Sequence, residues 1–161
     1  MDKEIKIVPA KAEHLDAAGD ISVAAWTPIR EVFRECLGDE IYESQFTGWQ
    51  KVKRDGVINM LQRGRGYVAL LDDKVVGFIA YAINETTKTG EICGNAVDPE
   101  VRGMGIGPKM YAFVQEKMRE EGMIYATVNT GLDDGHAPAR RAYEKAGFKA
   151  NLPSIRYYKK L

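Results

Sequence analysis

The sequence predicts a mixed α/β domain, one sheet with helices packed against it, in the order β-α-α-α-β-β-β-α-β-α-β-β. Three observations carry that prediction. The first third repeats apolar residues at helical spacing, the middle changes to short apolar runs separated by turns, and the last part alternates the two patterns. The 161 residues are 45% hydrophobic and 29% charged, the balance of a chain with a real core. That length is read as a single domain spanning residues 1–161.

Each element has its own signal. Ile5, Ile7 and Pro9 start a short strand. Leu15, Ala18, Ser22 and Ala25 mark a helix expected to end before Pro28. Ile29, Val32, Phe33, Cys36 and Leu37 then recur at helical spacing, with Gly38 closing that helix and Asp39 placed to cap the next. Tyr42, Phe46, Trp49, Val57, Met60 and Leu61 carry a longer, glycine-interrupted helix up to Gly64. Tyr67–Leu71 and Val75–Ile83 flank an Asp72-Asp73 turn and read as a hairpin. Glu91–Val97 extends it to an antiparallel meander. A helix follows from Ile106 to about Glu121, with Pro108 in its first turn, where no helical donor is lost. Met123–Asn129 is a strand, Pro138 opens a short helix ended by Gly147, and Phe148–Ala150 and Ile155–Lys159 are closing strands.

Composition excludes several function classes. No window approaches a membrane span. The start, Met1–Lys6, alternates charged with apolar residues and has no apolar signal-peptide core, so the expected location is the cytoplasm. Basic and acidic residues balance at 23 each, which leaves no basic field for nucleic acid. Cys36 and Cys93 form no C-x-x-C pair and read as small buried hydrophobes, so no metal or redox site is expected.

The segment Val97–Pro108 carries chemistry. Gly103, Gly105 and Gly107 leave a strand and enter a helix, which suits backbone N–H groups gathered around a phosphate or pyrophosphate. A Walker A loop would need Lys and Ser/Thr after the glycine, and Gly107 is followed by Pro108. A dinucleotide fingerprint would need a different glycine spacing in a βαβ unit.

Arg102-Gly103-Met104-Gly105-Ile106-Gly107 resembles the Arg-x-x-Gly-x-Gly acyl-CoA pyrophosphate loop of the GNAT superfamily of N-acetyltransferases. A second block, Ala139-Arg140-Arg141-Ala142-Tyr143-Glu144-Lys145-Ala146-Gly147-Phe148, is similar to that family's A-x-x-x-Y-E-K-x-G-F signature. Together the blocks cover about the C-terminal half, Gly90–Phe148. The resemblance implies the GNAT fold, acetyl-CoA as cosubstrate, no metal, and direct acetyl transfer to an amine without an acyl-enzyme. It implies that residues 102–107 hold the pyrophosphate, and that the backbone of Asn95, Ala96 and Val97 holds the pantetheine arm and polarises the acetyl carbonyl. Ala139 and Tyr143 lie on the implied cofactor side as well. The family often has Asn seven residues before the signature tyrosine; here that position is His136, which either keeps the cofactor contact or caps the short helix.

Tyr143 is the implied general acid, or hydrogen-bond donor, toward the leaving thiolate; the plainer reading is a buried ring whose hydroxyl meets a backbone carbonyl. Glu91 stands eleven residues before Arg102, where the histone-acetylating branch of the family carries its base; the plainer reading is an exposed strand-end carboxylate. Asp133-Asp134 either favours a cationic acceptor or forms an Asx turn. Arg140, Arg141, Lys145, Lys109 and Lys117 read as solvated helix faces, and so does the cluster Lys51, Lys53 and Arg54. The acceptor is open among small-molecule and peptide amines, and a homodimer is open too. A non-catalytic acyl-CoA sensor on the same scaffold is the rival function.

Overall fold

The computed structural model describes residues 4–161, so Met1–Lys3 lie outside the described residues. The elements are β1 (Ile5–Pro9), α1 (Ala12–Phe46), α2 (Trp49–Leu61), β2 (Gly66–Leu71), β3 (Lys74–Asn84), β4 (Thr89–Val97), α3 (Ile106–Glu120), β5 (Tyr125–Val128) and α4 (Ala137–Lys145). Short 3₁₀ turns at Pro99–Val101 and Asp134–His136 lead into α3 and α4. Among the described residues the sheet has five strands in the order β1-β2-β3-β4-β5. The first three pairings are antiparallel and β4–β5 is parallel.

Both faces of the sheet are covered, which explains why β3 is apolar almost throughout. Phe78 and Ala80 point to one side and pack with Ala18, Ile21, Val57 and Leu61 of α1 and α2. Ile79 and Tyr81 point to the other and pack with Met110, Val114 and Met118 of α3. The hairpin between β2 and β3 turns at Asp72 and Asp73, both with positive φ, the requirement of a tight two-residue connection.

Four expectations are corrected. The helix does not end before Pro28, which sits inside α1. The lost donor costs about 3 kcal/mol in an isolated helix. Here the turn beyond Pro28 is held by tertiary contacts: Gly135 lies against Ile29 so closely that a Cβ would come within 3.0 Å of the Ile29 Cα. Gly38 breaks the helix as expected, with φ +74°, but the single helix expected from Tyr42 to Leu61 is divided at Gly48: Tyr42 and Phe46 lie in the last part of α1 and Trp49 opens α2. The closing strands are absent: residues after Lys145 adopt no strand or helix, and Leu152, Ile155 and Tyr157 are exposed. The edge they would extend, β5, is only four residues long, and Pro153 lacks a ladder donor. Both cysteines are exposed rather than buried. Among the described residues no helix is long and apolar enough to cross a membrane.

Candidate functional site

The central feature is a gap between two parallel strands. β4 and β5 pair only from Thr89/Tyr125 to Ile92/Val128. β4 continues to Val97, still paired with β3 on its other side. Tyr81 opposes Ile92 while Ala80 opposes Gly94, so Cys93 is an extra, bulged residue. A bulge bends its strand and strengthens its twist, and this one sits where β4 leaves β5. From there to Val97 the outer edge of β4 offers peptide groups to a ligand, the position expected of Asn95, Ala96 and Val97.

β4 is followed by Asp98, whose carboxylate accepts from the Glu100 N–H at 3.0 Å and turns the chain. Gly103 and Gly105 then adopt φ of +84° and +76°, a conformation that strains any residue with a Cβ. A Cβ built at either would meet nothing within 4 Å, so the glycines serve backbone shape rather than packing. Gly105 is the N-cap of α3 and supplies no side-chain cap, and the first turn holds no acid. The leading N–H groups of a fifteen-residue helix and its positive dipole end are therefore free for an anion. Ile106 is 1% exposed and anchors the helix, whereas Arg102 and Met104 face solvent. These features fit a pyrophosphate, and the open β4 edge fits the amide-bearing arm attached to it.

Three side chains join the gap to the core. The Tyr111 hydroxyl donates to Asn95 Oδ1, and Asn95 Nδ2 donates to the Tyr143 hydroxyl, both at 2.9 Å. Tyr143 is 9% exposed and packs against Tyr111 and Phe148. Its oxygen therefore meets a side-chain amide rather than a backbone carbonyl, and its own proton finds no acceptor among the described residues. Burial pushes its pKa above the ordinary phenol value, against the lowering effect of Asn95, so at neutral pH it is a donor. The side chains of Asn95 and Tyr111 were not singled out in the sequence; both look like ordinary core positions until β4 and α3 are packed together.

Glu91 is exposed and pairs in register with Ala82 and Thr127, on the sheet face that α1 and α2 leave uncovered there. It is close enough that, after burial, its charge helps push the Cys93 thiol up. His136 is the N-cap residue of α4, but its side chain does not cap the helix. Its Nδ1 pairs with Asp133 Oδ2 at 2.7 Å, and its ring lies 6.0 Å from that of Phe33 in α1. Asp133 also caps the 3₁₀ turn by accepting from the His136 N–H, so that carboxylate is already engaged. Ala139 is half-buried on α4 against the same core as Tyr143.

Three supposedly solvated cations are not. Arg140 donates to the carbonyls of Gly131 and Asp133 at 2.6 and 2.7 Å and fixes the loop after β5. Arg54 crosses Gly19 to pair with Asp16, tying α2 to α1. Lys53 turns inward, with its ammonium 3.3 Å from the centre of the Trp26 ring. Burial first, and Arg30 second, lower its pKa to about 8.

The sign of that shift gives a stability prediction. A lysine at 10.5 in the unfolded chain and about 8 when folded binds more protons unfolded between those values. Native stability thus rises as pH climbs from 8 to 10.5, and the cost is fully present below 8. Lys53→Met is expected to be more stable than wild type by about 1–3 kcal/mol at pH 7, the gain fading as pH climbs from 8 to 10.5. Urea denaturation at a series of pH values checks this; an equal gain at every pH would mean the ammonium is not desolvated.

A family-wide sequence model described as the Acetyltransferase (GNAT) family matches residues 26–148. No curated protein matches the chain. Among solved structures, the chain is similar to the PaiA N-acetyltransferase of Thermoplasma acidophilum in complex with coenzyme A. The TM-score is 0.72 at 19% identity, over 92% of this chain and 91% of the other. Aminoglycoside N-acetyltransferase AAC(6')-Iy, in complex with CoA, gives 0.63 at 15% identity over 100% and 98%. The ribosomal-protein-S18-alanine N-acetyltransferase of Escherichia coli gives 0.64 at 16% identity over 92% and 80%. At these identities the likeness is one of fold.

Proposed function

The chain belongs to the GNAT acetyltransferase family, and from that premise we propose that it transfers the acetyl group of acetyl-CoA to a primary amine by direct attack in a ternary complex, in the cytoplasm. The observation that carries this reading is the Tyr143 hydroxyl, fixed by Asn95 of β4 beside the gap with its proton uncommitted.

The acyl donor, when bound, supplies a thioester carbonyl and a thiolate leaving group. The residues divide the remaining work. The turn Arg102–Gly107 holds the pyrophosphate on the backbone N–H groups at the start of α3. The outer edge of β4 from Asn95 to Val97 orients the arm and, through main-chain N–H, stabilises charge on the carbonyl oxygen. His136 and Ala139 flank the arm at the start of α4. Tyr143 donates a hydrogen bond to the departing sulfur. A phenol near 10, raised further here by burial, is a weak acid toward a thiolate near 8.5, so stabilisation of developing charge outweighs full proton transfer.

An alkylamine is protonated at neutral pH and must lose a proton before attack. Glu91, on the open face of β4, takes it directly or through water. Glu91→Gln is expected to lower kcat about 10–100-fold at pH 7 and to move the rate optimum to higher pH. An unaltered pH–rate profile would remove Glu91 from the reaction. Initial rates with acetyl-CoA and amine both varied are expected to give intersecting double-reciprocal lines. Parallel lines would reveal an acyl-enzyme and contradict direct transfer.

A further inference from the structure

A cavity of about 490 Å³ opens between α1, α2 and the bulge of β4, lined by Arg30, Phe46, Trp49, Lys53, Met60 and Cys93 among others. Its wall contains no Asp or Glu. The Arg30 guanidinium lies 4.6 Å from the Phe46 ring centre and 5.3 Å from that of Trp49. The Arg30 Nε is buried without a hydrogen-bond partner. The groups whose charge reaches Arg30 are the phenols Tyr42 and Tyr158, not carboxylates. Lys53, on the facing helix, has its ammonium on Trp26 and likewise has no carboxylate partner among the described residues.

Two cations held close together on aromatic rings, without a counter-ion, are costly unless an anion joins them. The cavity borders Cys93 and Gly94, next to Asn95 and so next to the gap assigned to the acyl donor. We propose that this cavity is the acceptor site and that the acceptor is an amine that also bears a carboxylate on an apolar body, an apolar amino acid. The proposal rests on the acetyltransferase reading. The carboxylate sits between Arg30 and Lys53, the side chain lies on Phe46, Trp49 and Met60, and the amino group points to β4. A polyamine or aminoglycoside would bring positive charge to two desolvated cations, so the chemistry selects against polycationic acceptors. Asp133 and Asp134 do not reverse this: Asp133 is paired with His136, and neither lines the cavity.

The test compares phenylalanine, leucine and methionine with their carboxamides, and with spermidine. The carboxamides keep the amine and body but lose the negative charge. At least one of the three acids is expected to exceed its amide in kcat/KM by about ten- to a hundredfold, with spermidine poorer still. Arg30→Gln and Lys53→Met are each expected to raise KM for that acid about tenfold or more while changing its amide little. Amides or spermidine used as well as the acids, or an equal loss on acid and amide in both variants, would overturn the proposal. Calorimetric binding of the same acids and amides to the CoA-loaded protein reads the preference without turnover. If the acids bind preferentially but no amine is acetylated, the transferase reading fails and the anion site stands. If amines are acetylated without preference for a carboxylate, the site assignment fails and the transferase reading stands.

Discussion

Tyr143→Phe is expected to lower kcat about ten- to a thousandfold while leaving CoA affinity nearly unchanged. The substitution keeps the ring that packs on Tyr111 and Phe148 and removes only the oxygen bonded by Asn95. In the proposed reading, ground-state binding uses other atoms, namely the α3 N-terminus and the β4 edge, so the loss should fall on the step in which charge develops on sulfur. The deletion leaves Asn95 Nδ2 without its partner, which costs about 1–3 kcal/mol of stability. Thermal melts therefore accompany the kinetics, and the rate is measured well below the variant's Tm. Turnover near wild type, with chemistry shown to limit the rate, would return Tyr143 to a packing role.

Gly105→Val is expected to abolish stabilisation by CoA. At a concentration a hundred times Kd, a ligand specific to the folded protein adds about 2.7 kcal/mol, a Tm shift of about 5–10 °C for a chain of this size. NAD and ATP should add much less. Valine is strained at a φ of +76°, so the turn must relax and withdraw its N–H groups. No atom lies within 4 Å of the new Cβ, so the free protein should lose only the strain itself, about 1–3 kcal/mol. A full CoA shift in this variant would place the pyrophosphate elsewhere.

Local chemistry was legible in the sequence wherever the physical cause was itself local. The Asp72-Asp73 hairpin and the Gly103/Gly105 turn follow from φ requirements that few residues meet. The break at Gly38 and the stop at Gly122 have the same origin. Pro28 misled because its local penalty is outweighed by contacts distant in sequence, such as Gly135 on Ile29. The tail misled in the opposite sense: Ile155–Lys159 alternates like a strand, but β5 offers too short an edge to hold it.

The cavity proposed for the acceptor was the least legible part. Arg30 and Lys53 sit on amphipathic helices, where a cation reads as solvated unless the partner helix is known. What desolvates them is the meeting of α1 and α2 over Trp26, Phe46 and Trp49, residues spread along two elements. The Cys93 bulge has no sequence mark beyond the neighbouring Gly94, since a register shift belongs to a pair of strands. Only the fold shows that the bulge, the open β4 edge, the free helix end and the Tyr143 hydroxyl meet in one place.

Mass analysis of the acceptor, run together with thiol titration, tests the assignment of acetyl transfer to this gap. The account predicts an amine product heavier by one acetyl group, one CoA thiol released for each amine acetylated, and loss of both signals together in Tyr143→Phe. Acetyl-CoA bound tightly by the wild-type protein, with no thiol release in the presence of any amine, would contradict it and leave a binding module on the same fold.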